Sequence, residues 1–150
     1  VRVLPAMTAA ALLVLGAAQA EAQLAISDAW VRALPPVQRN TAAYLQLHNS
    51  GDSPLTLTGG SSPIAERVEL HSSQAEDGMM RMRQLEAVTL APGERLQLAP
   101  GGVHLMLLGL ERMPAEGERV SLCLNLAAGG QACTEAQVRR QAGGDHSHHH

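Results

Sequence analysis

His71, Met82, His104 and Met106 fall in the spacing H-x10-M-x21-H-x-M, within a chain that carries little other reactive chemistry. Two imidazoles and two thioethers make a soft, uncharged ligand set. Such a set suits Cu(I) and offers little to magnesium or calcium, which bind through oxygens. Thioethers also survive an oxidising compartment better than free thiols do. The competing reading is structural: a lone histidine near a strand end is usually a surface group, and a lone methionine usually fills a core. Apolar packing, however, gives no reason for both histidines. Met79 and Met80 stand as substitutes for Met82, since spacing does not choose among them. No serine-histidine-acid arrangement or carboxylate pair can be placed, and drawing His71 with Glu69 or Asp77 as an acid-base site would leave the methionine spacing without a purpose. An enzyme is not expected.

These residues must be positioned by short elements. The segments between turn signals often alternate polar and apolar, which favours strands. Candidate strands are Ala25–Arg32, Ala42–His48, Leu55–Leu57, Arg67–His71, Met80–Leu85, Arg95–Leu98, Val103–Leu108, Arg119–Leu126 and Ala132–Arg139. Pro35-Pro36, the run Asn49 to Pro54, Pro92-Gly93, Pro100-Gly101-Gly102 and Ala128-Gly129-Gly130 punctuate them. Thr41 to Ala43 could instead be helical. Many short strands in a small domain point to an all-β antiparallel sandwich or Greek-key barrel. In the strand from Val103, the residues Val103, Leu105 and Leu107 can face a core while His104 and Met106 share the opposite face. Met80 and Met82 likewise share a face. His71 is expected at the end of its strand, just before a polar loop, so the site is expected to be shallow and at one end of the sheet.

Composition bounds the rest. Residues 1–22 read as a cleaved secretory signal: Arg2 precedes an apolar run from Ala9 to Ala18, and small residues allow cleavage near Ala20 or Ala22. That run is too short to span a bilayer, so no stable membrane insertion is expected after cleavage. No cysteine follows the cleavage region, and a lipid anchor there is not expected. The remaining domain, residues 23–140, suits a single core. Formal net charge is −3, Lys is absent, and aromatic residues are limited to Trp30 and Tyr44. A nucleic-acid surface would want a basic face or stacking aromatics, and neither is present. Without Phe, the core must be filled by Leu, Val and Ala, with Trp30 as a buried anchor. The tail, residues 141–150, ends His146-Ser147-His148-His149-His150 and is expected to be flexible. Its imidazoles could hold Cu(II), either as a native extension or as the remnant of a purification tag.

At the ligand spacing the chain resembles the periplasmic copper(I) chaperone family PCuAC. The resemblance runs from about Ile26 to Val138. It includes Asp28-Ala29-Trp30-Val31-Arg32, Ala43-Tyr44-Leu45 ahead of Asn49, Val68-Glu69-Leu70-His71, Gly78-Met79-Met80-Arg81-Met82, and Leu98 to Leu107. The resemblance implies a cupredoxin-like sandwich that binds one Cu(I) through His71, Met82, His104 and Met106. It implies delivery of copper to the dinuclear copper centre of respiratory cytochrome oxidase, with the oxidase subunit or another copper chaperone as partner. A monomer in the periplasm is expected. The alternative is a storage or resistance protein without a dedicated acceptor.

Cys123 and Cys133 lie equidistant from Ala128 on the last two candidate strands. If the hairpin centres there they face each other, and in an exported protein a cross-strand disulfide is the leading expectation. Two free thiols, or a second copper or redox site, are the alternatives.

Overall fold

The computed structural model describes residues 2–3 and 23–141. The cleavage region and the His-rich tail lie outside the described residues. Ten strands run in chain order among them: β1 (Leu24–Arg32), β2 (Thr41–Asn49), β3 (Leu55–Ser61), β4 (Arg67–Glu76), β5 (Met79–Leu85), β6 (Val88–Leu90), β7 (Arg95–Leu98), β8 (Val103–Leu108), β9 (Arg119–Leu126) and β10 (Gln131–Arg139). No helix among these residues is long and apolar enough to cross a membrane. Thr41–Ala43, which could have been helical, opens β2 instead.

Strand order is β5-β4-β8-β2-β1-β10-β9-β3-β6, and a further pairing of β3 with β4 closes the circuit. The result is an all-β, cupredoxin-like barrel or sandwich whose interior is the core. Every pairing is antiparallel except β1 with β10, where Trp30, Val31 and Arg32 run parallel to Gln137, Val138 and Arg139. Closure removes the free edges of the strands inside the circuit. β5, β6 and β7 remain as edges.

Period-two patterning decides what faces inward. On β9, Val120, Leu122, Leu124 and Leu126 are buried, and Arg119, Ser121, Cys123 and Asn125 face out. The same alternation puts Val68 and Leu70 of β4 and Leu105 and Leu107 of β8 into one cluster with Val31, Ala43, Leu45 and Val138. Removing a fully buried leucine side chain from water is worth about 1.5–3 kcal/mol. Leucine, valine and alanine do fill this core. Trp30 does not join it: it is buried in a separate cluster with Ala42 and Tyr44, against which Met106 packs.

Three strands depart from expectation, β3 by running on past Leu57 to Ser61. β6 was not read from the sequence. It is three residues long and held by Leu55↔Leu90 and Leu57↔Val88, with the buried Asn49 side chain donating to the Leu90 and Ala91 carbonyls, 3.2 Å each. β4 runs past His71 through Ser72-Ser73-Gln74-Ala75-Glu76, where a polar loop had been expected. The reason is the turn at Asp77-Gly78. Both residues have positive φ, 51° and 76°, as a tight primed hairpin turn requires. That turn registers β4 against β5 from Leu70↔Leu85 to Glu76↔Met79.

Candidate metal centre

The extension of β4 decides where the candidate ligands meet. His71 is in mid-strand and lies directly across from His104 in the β4–β8 ladder, with Glu69 opposite Met106. On the other side of β4, His71 pairs with Gln84 and Ser73 pairs with Met82. Alternation then places Met82, His71, His104 and Met106 on one face of three adjacent strands, opposite the core. The site is therefore on a sheet face and not at a sheet end. β5 and β8 do not touch as neighbours, since β4 lies between them.

Depth varies across this face. His104 is 2% exposed, whereas Met82 is 62% exposed. The His71 side chain is largely buried, and Met106 is half-buried against Trp30, Tyr44 and Ala42. The site is shallow on the β5 side and deep on the β8 side.

Each imidazole has one nitrogen occupied and one left over. The His104 Nδ1–H donates to the Gly102 carbonyl at 2.9 Å, while buried Nε2 has no hydrogen-bond partner. His71 Nε2 lies 2.9 Å from Glu69 Oε2, and its buried Nδ1 has no partner. If Nε2 of His71 carries the proton, it donates to the carboxylate, and Nδ1 keeps its lone pair. Buried polar nitrogens without partners are rare, and each calls for an explanation. The two rings stand close, with centroids 6.1 Å apart. The arrangement is the one metal-ligating histidines adopt: one nitrogen held by an outer partner, the other free to donate to a metal. Among the described residues no group of three or more His, Cys, Asp or Glu side chains is placed to hold a metal. A four-ligand centre here draws on the thioethers of Met82 and Met106. The residues present thus fit a soft monovalent ion.

An aromatic stack continues the same face. Tyr44 lies 6.2 Å from the His104 ring and 4.6 Å from Trp30, centroid to centroid. The Arg32 guanidinium sits over both aromatic rings, at 5.7 Å from Trp30 and 5.3 Å from Tyr44. Burial pushes the Tyr44 phenol above its ordinary pKa, with the Arg32 charge pulling in the opposite direction. The phenol is therefore neutral at physiological pH.

A family model described as "Putative lipoprotein LpqE-like" matches residues 24–138. The chain belongs to the LpqE-like family. A curated relative of this LpqE-like chain, "Putative lipoprotein Lxx21020" from Leifsonia xyli subsp. xyli, is 29% identical over 124 residues, covering 82% of this chain and 74% of the relative. Among solved structures, apo-DR1885 from Deinococcus radiodurans is 33% identical, with 94% of this chain and 93% of that one covered and a TM-score of 0.62. The copper-bound PCuAC domain from PmoF2 is 26% identical, covering 81% of this chain and 94% of that one, with a TM-score of 0.65. The LpqE-like chain is a PCuAC-type domain with the cupredoxin-like fold that the sequence resemblance implied.

Sequence reasoning found the four candidate ligands of this LpqE-like domain but not what orients the histidines. Glu69 is two residues before His71 and so shares its face, a signal that alternation alone could have supplied. The Gly102 carbonyl, by contrast, becomes a partner only through the turn before β8. The two cysteines do form a disulfide, Cys123–Cys133, directly across the β9–β10 ladder.

Proposed function

We propose that this PCuAC-type domain is a Cu(I) carrier acting outside the cytoplasm. His71 through Nδ1, His104 through Nε2, and the sulfurs of Met82 and Met106 hold one Cu(I). The ion goes to the dinuclear copper centre of a respiratory cytochrome oxidase, directly or through another copper chaperone. The observation that carries the reading is the pair of buried, partnerless imidazole nitrogens on adjacent strands, facing the same side as both methionines. The copper-bound PmoF2 domain and the LpqE-like family's association with lipoproteins support it. In this reading residues 1–22 are removed on export, residues 23–140 form the carrier, and the tail at 141–150 gathers Cu(II) near it.

The chemistry suits transfer. Four neutral ligands leave the bound ion with its positive charge and include no thiolate to retain it. An acceptor offering cysteine thiolates is a better ligand set for Cu(I), so copper moves downhill by ligand exchange. The exposed Met82 side gives incoming ligands access, while buried His104 and half-buried Met106 hold the ion in place.

The test is anaerobic Cu(I) binding to protein lacking the residues after Gly144, with copper K-edge absorption. One ion with mixed nitrogen and sulfur scattering is expected, and His104→Ala or Met106→Ala should each weaken it by more than about tenfold, or 1.4 kcal/mol. Absence of Cu(I) binding would end the carrier reading. Metallation of an apo oxidase copper domain then separates delivery from storage, since a storage protein would keep its ion.

A further inference from the structure

The face that holds the four candidate ligands does not stop at Met82. β5 is the outermost strand on that side, and Met80 lies two residues before Met82, so both point to the His71 face. Met79, Arg81 and Arg83 point the other way. Across the ladder Met82 meets Ser73 and Met80 meets Ala75, two small side chains that leave the space above them to the thioethers. Met80 and Met82 are 63% and 62% exposed and belong to neither apolar cluster. Residues two apart on a strand are separated by about 7 Å, and unbranched methionine side chains are flexible enough to close on one ion from that distance. The face thus presents a continuous row of soft donors graded from solvent to interior: Met80, Met82, His71, His104.

We propose that Met80 and Met82 form an outer thioether pair through which Cu(I) enters and leaves, with Met82 shared between this pair and the inner site. The inference rests on the Cu(I)-carrier reading and adds a second position for the ion, on the exposed hairpin. The step is ligand exchange without redox change. The bond from copper to Met80 sulfur breaks as a bond to the His71 Nδ1 forms, Met82 stays bound throughout, and the charge on copper remains unchanged. In release the order reverses, which leaves the ion on two exposed thioethers where an acceptor's ligands can reach it.

Met79 provides the control, being equally exposed but on the opposite face. The whole protein, labelled with methyl-13C methionine, is titrated with Ag(I) as a redox-inert soft ion. Up to one equivalent, the Met82 and Met106 methyl resonances should shift. Beyond one equivalent Met80 should shift as well, and Met79 should move little. In parallel, the rate of Cu(I) uptake from a bicinchoninate complex is measured for Met80→Leu and Met79→Leu. Met80→Leu should load roughly tenfold more slowly, corresponding to a barrier about 1.4 kcal/mol higher, with final affinity nearly unchanged. Met79→Leu should match the parent protein. A Met80 resonance that moves no more than that of Met79, or a Met80→Leu variant that loads at the parent rate, overturns the outer pair while leaving the carrier intact. A Met106 resonance that never responds overturns the inner site and the outer pair together.

Discussion

His71 shows how a strand position can orient a candidate ligand. Its Nε2 faces the Glu69 carboxylate, itself approached by Arg67 at 3.8 Å, so the ring is held by partners on its own strand, β4. Metal-bound histidines that lose such an outer partner typically lose 10- to 100-fold in affinity, because ring orientation and donor strength both suffer. Glu69→Ala should therefore weaken Cu(I) binding by about tenfold or more, read by competition with a chromophoric chelator. Glu69→Gln keeps an acceptor at the same reach and should lose less. Equal affinity for the alanine variant and the parent would mean that the carboxylate does not orient the ring. His104 has no comparable side chain to replace, since its outer partner is the Gly102 carbonyl. Its orientation is instead built into the turn that starts β8.

At the scale of elements, the two hairpin strands β4 and β5 carry the exposed half of the candidate site, and the β3 junction closes the barrel behind it. Gly60 sits at that junction, paired with Leu124 of β9 and with Val68 of β4. A Cβ at Gly60 would lie 2.3 Å from the Cys123 carbonyl oxygen and 3.3 Å from Val68 Cγ1. The first neighbour is backbone and cannot swing away, so the two strands would have to separate. Gly60→Ala should cost about 3 kcal/mol, at the upper end of overpacking effects, visible as a lowered unfolding midpoint in denaturant. A wild-type midpoint would show that the junction opens freely. Gly78 is the contrasting case: its φ of 76° matters for the turn, but nothing lies within 4 Å of an added Cβ. Substitution there strains the backbone without a clash.

Across the whole molecule, the disulfide and the candidate ligands occupy different strands of the barrel. The disulfide is on the outward face of β9 and β10; around the closed circuit β10, β1 and β2 lie between β9 and β8 in one direction, and β3 alone lies between β9 and β4 in the other. Closing a loop with a sequence separation of 10 restricts the unfolded chain, and in the chain-entropy account a loop of this size is worth about 2–3 kcal/mol. Replacing both cysteines, Cys123→Ala with Cys133→Ala, should lower the free energy of unfolding by about that amount and leave one Cu(I) per chain. Loss of copper binding in a variant that still folds would place the cysteines in the metal chemistry after all.

The sequence by itself determined the all-β class, the inward set on β8 and β9, the facing positions of the two cysteines and the spacing of the candidate ligands. Each of these depends on local alternation, on symmetry about one turn, or on a spacing that apolar packing does not require. Tertiary structure decided the rest. The length of β4 was hidden because Ser72 to Glu76 is polar, and a hairpin ribbon exposed to solvent has no apolar face to announce it. Asp77-Gly78 was the available sign. β6 was hidden because three residues are too few to show a period. Trp30 left the main core because its place in β1 turns it to the ligand face, where Tyr44 and Arg32 stack with it. That His71 and His104 stand directly opposite each other, each with one nitrogen partnered and one free, depends on register between strands distant in the chain. Register is set by the closed circuit of pairings and the packing of its interior, and no local pattern in the chain encodes it alone.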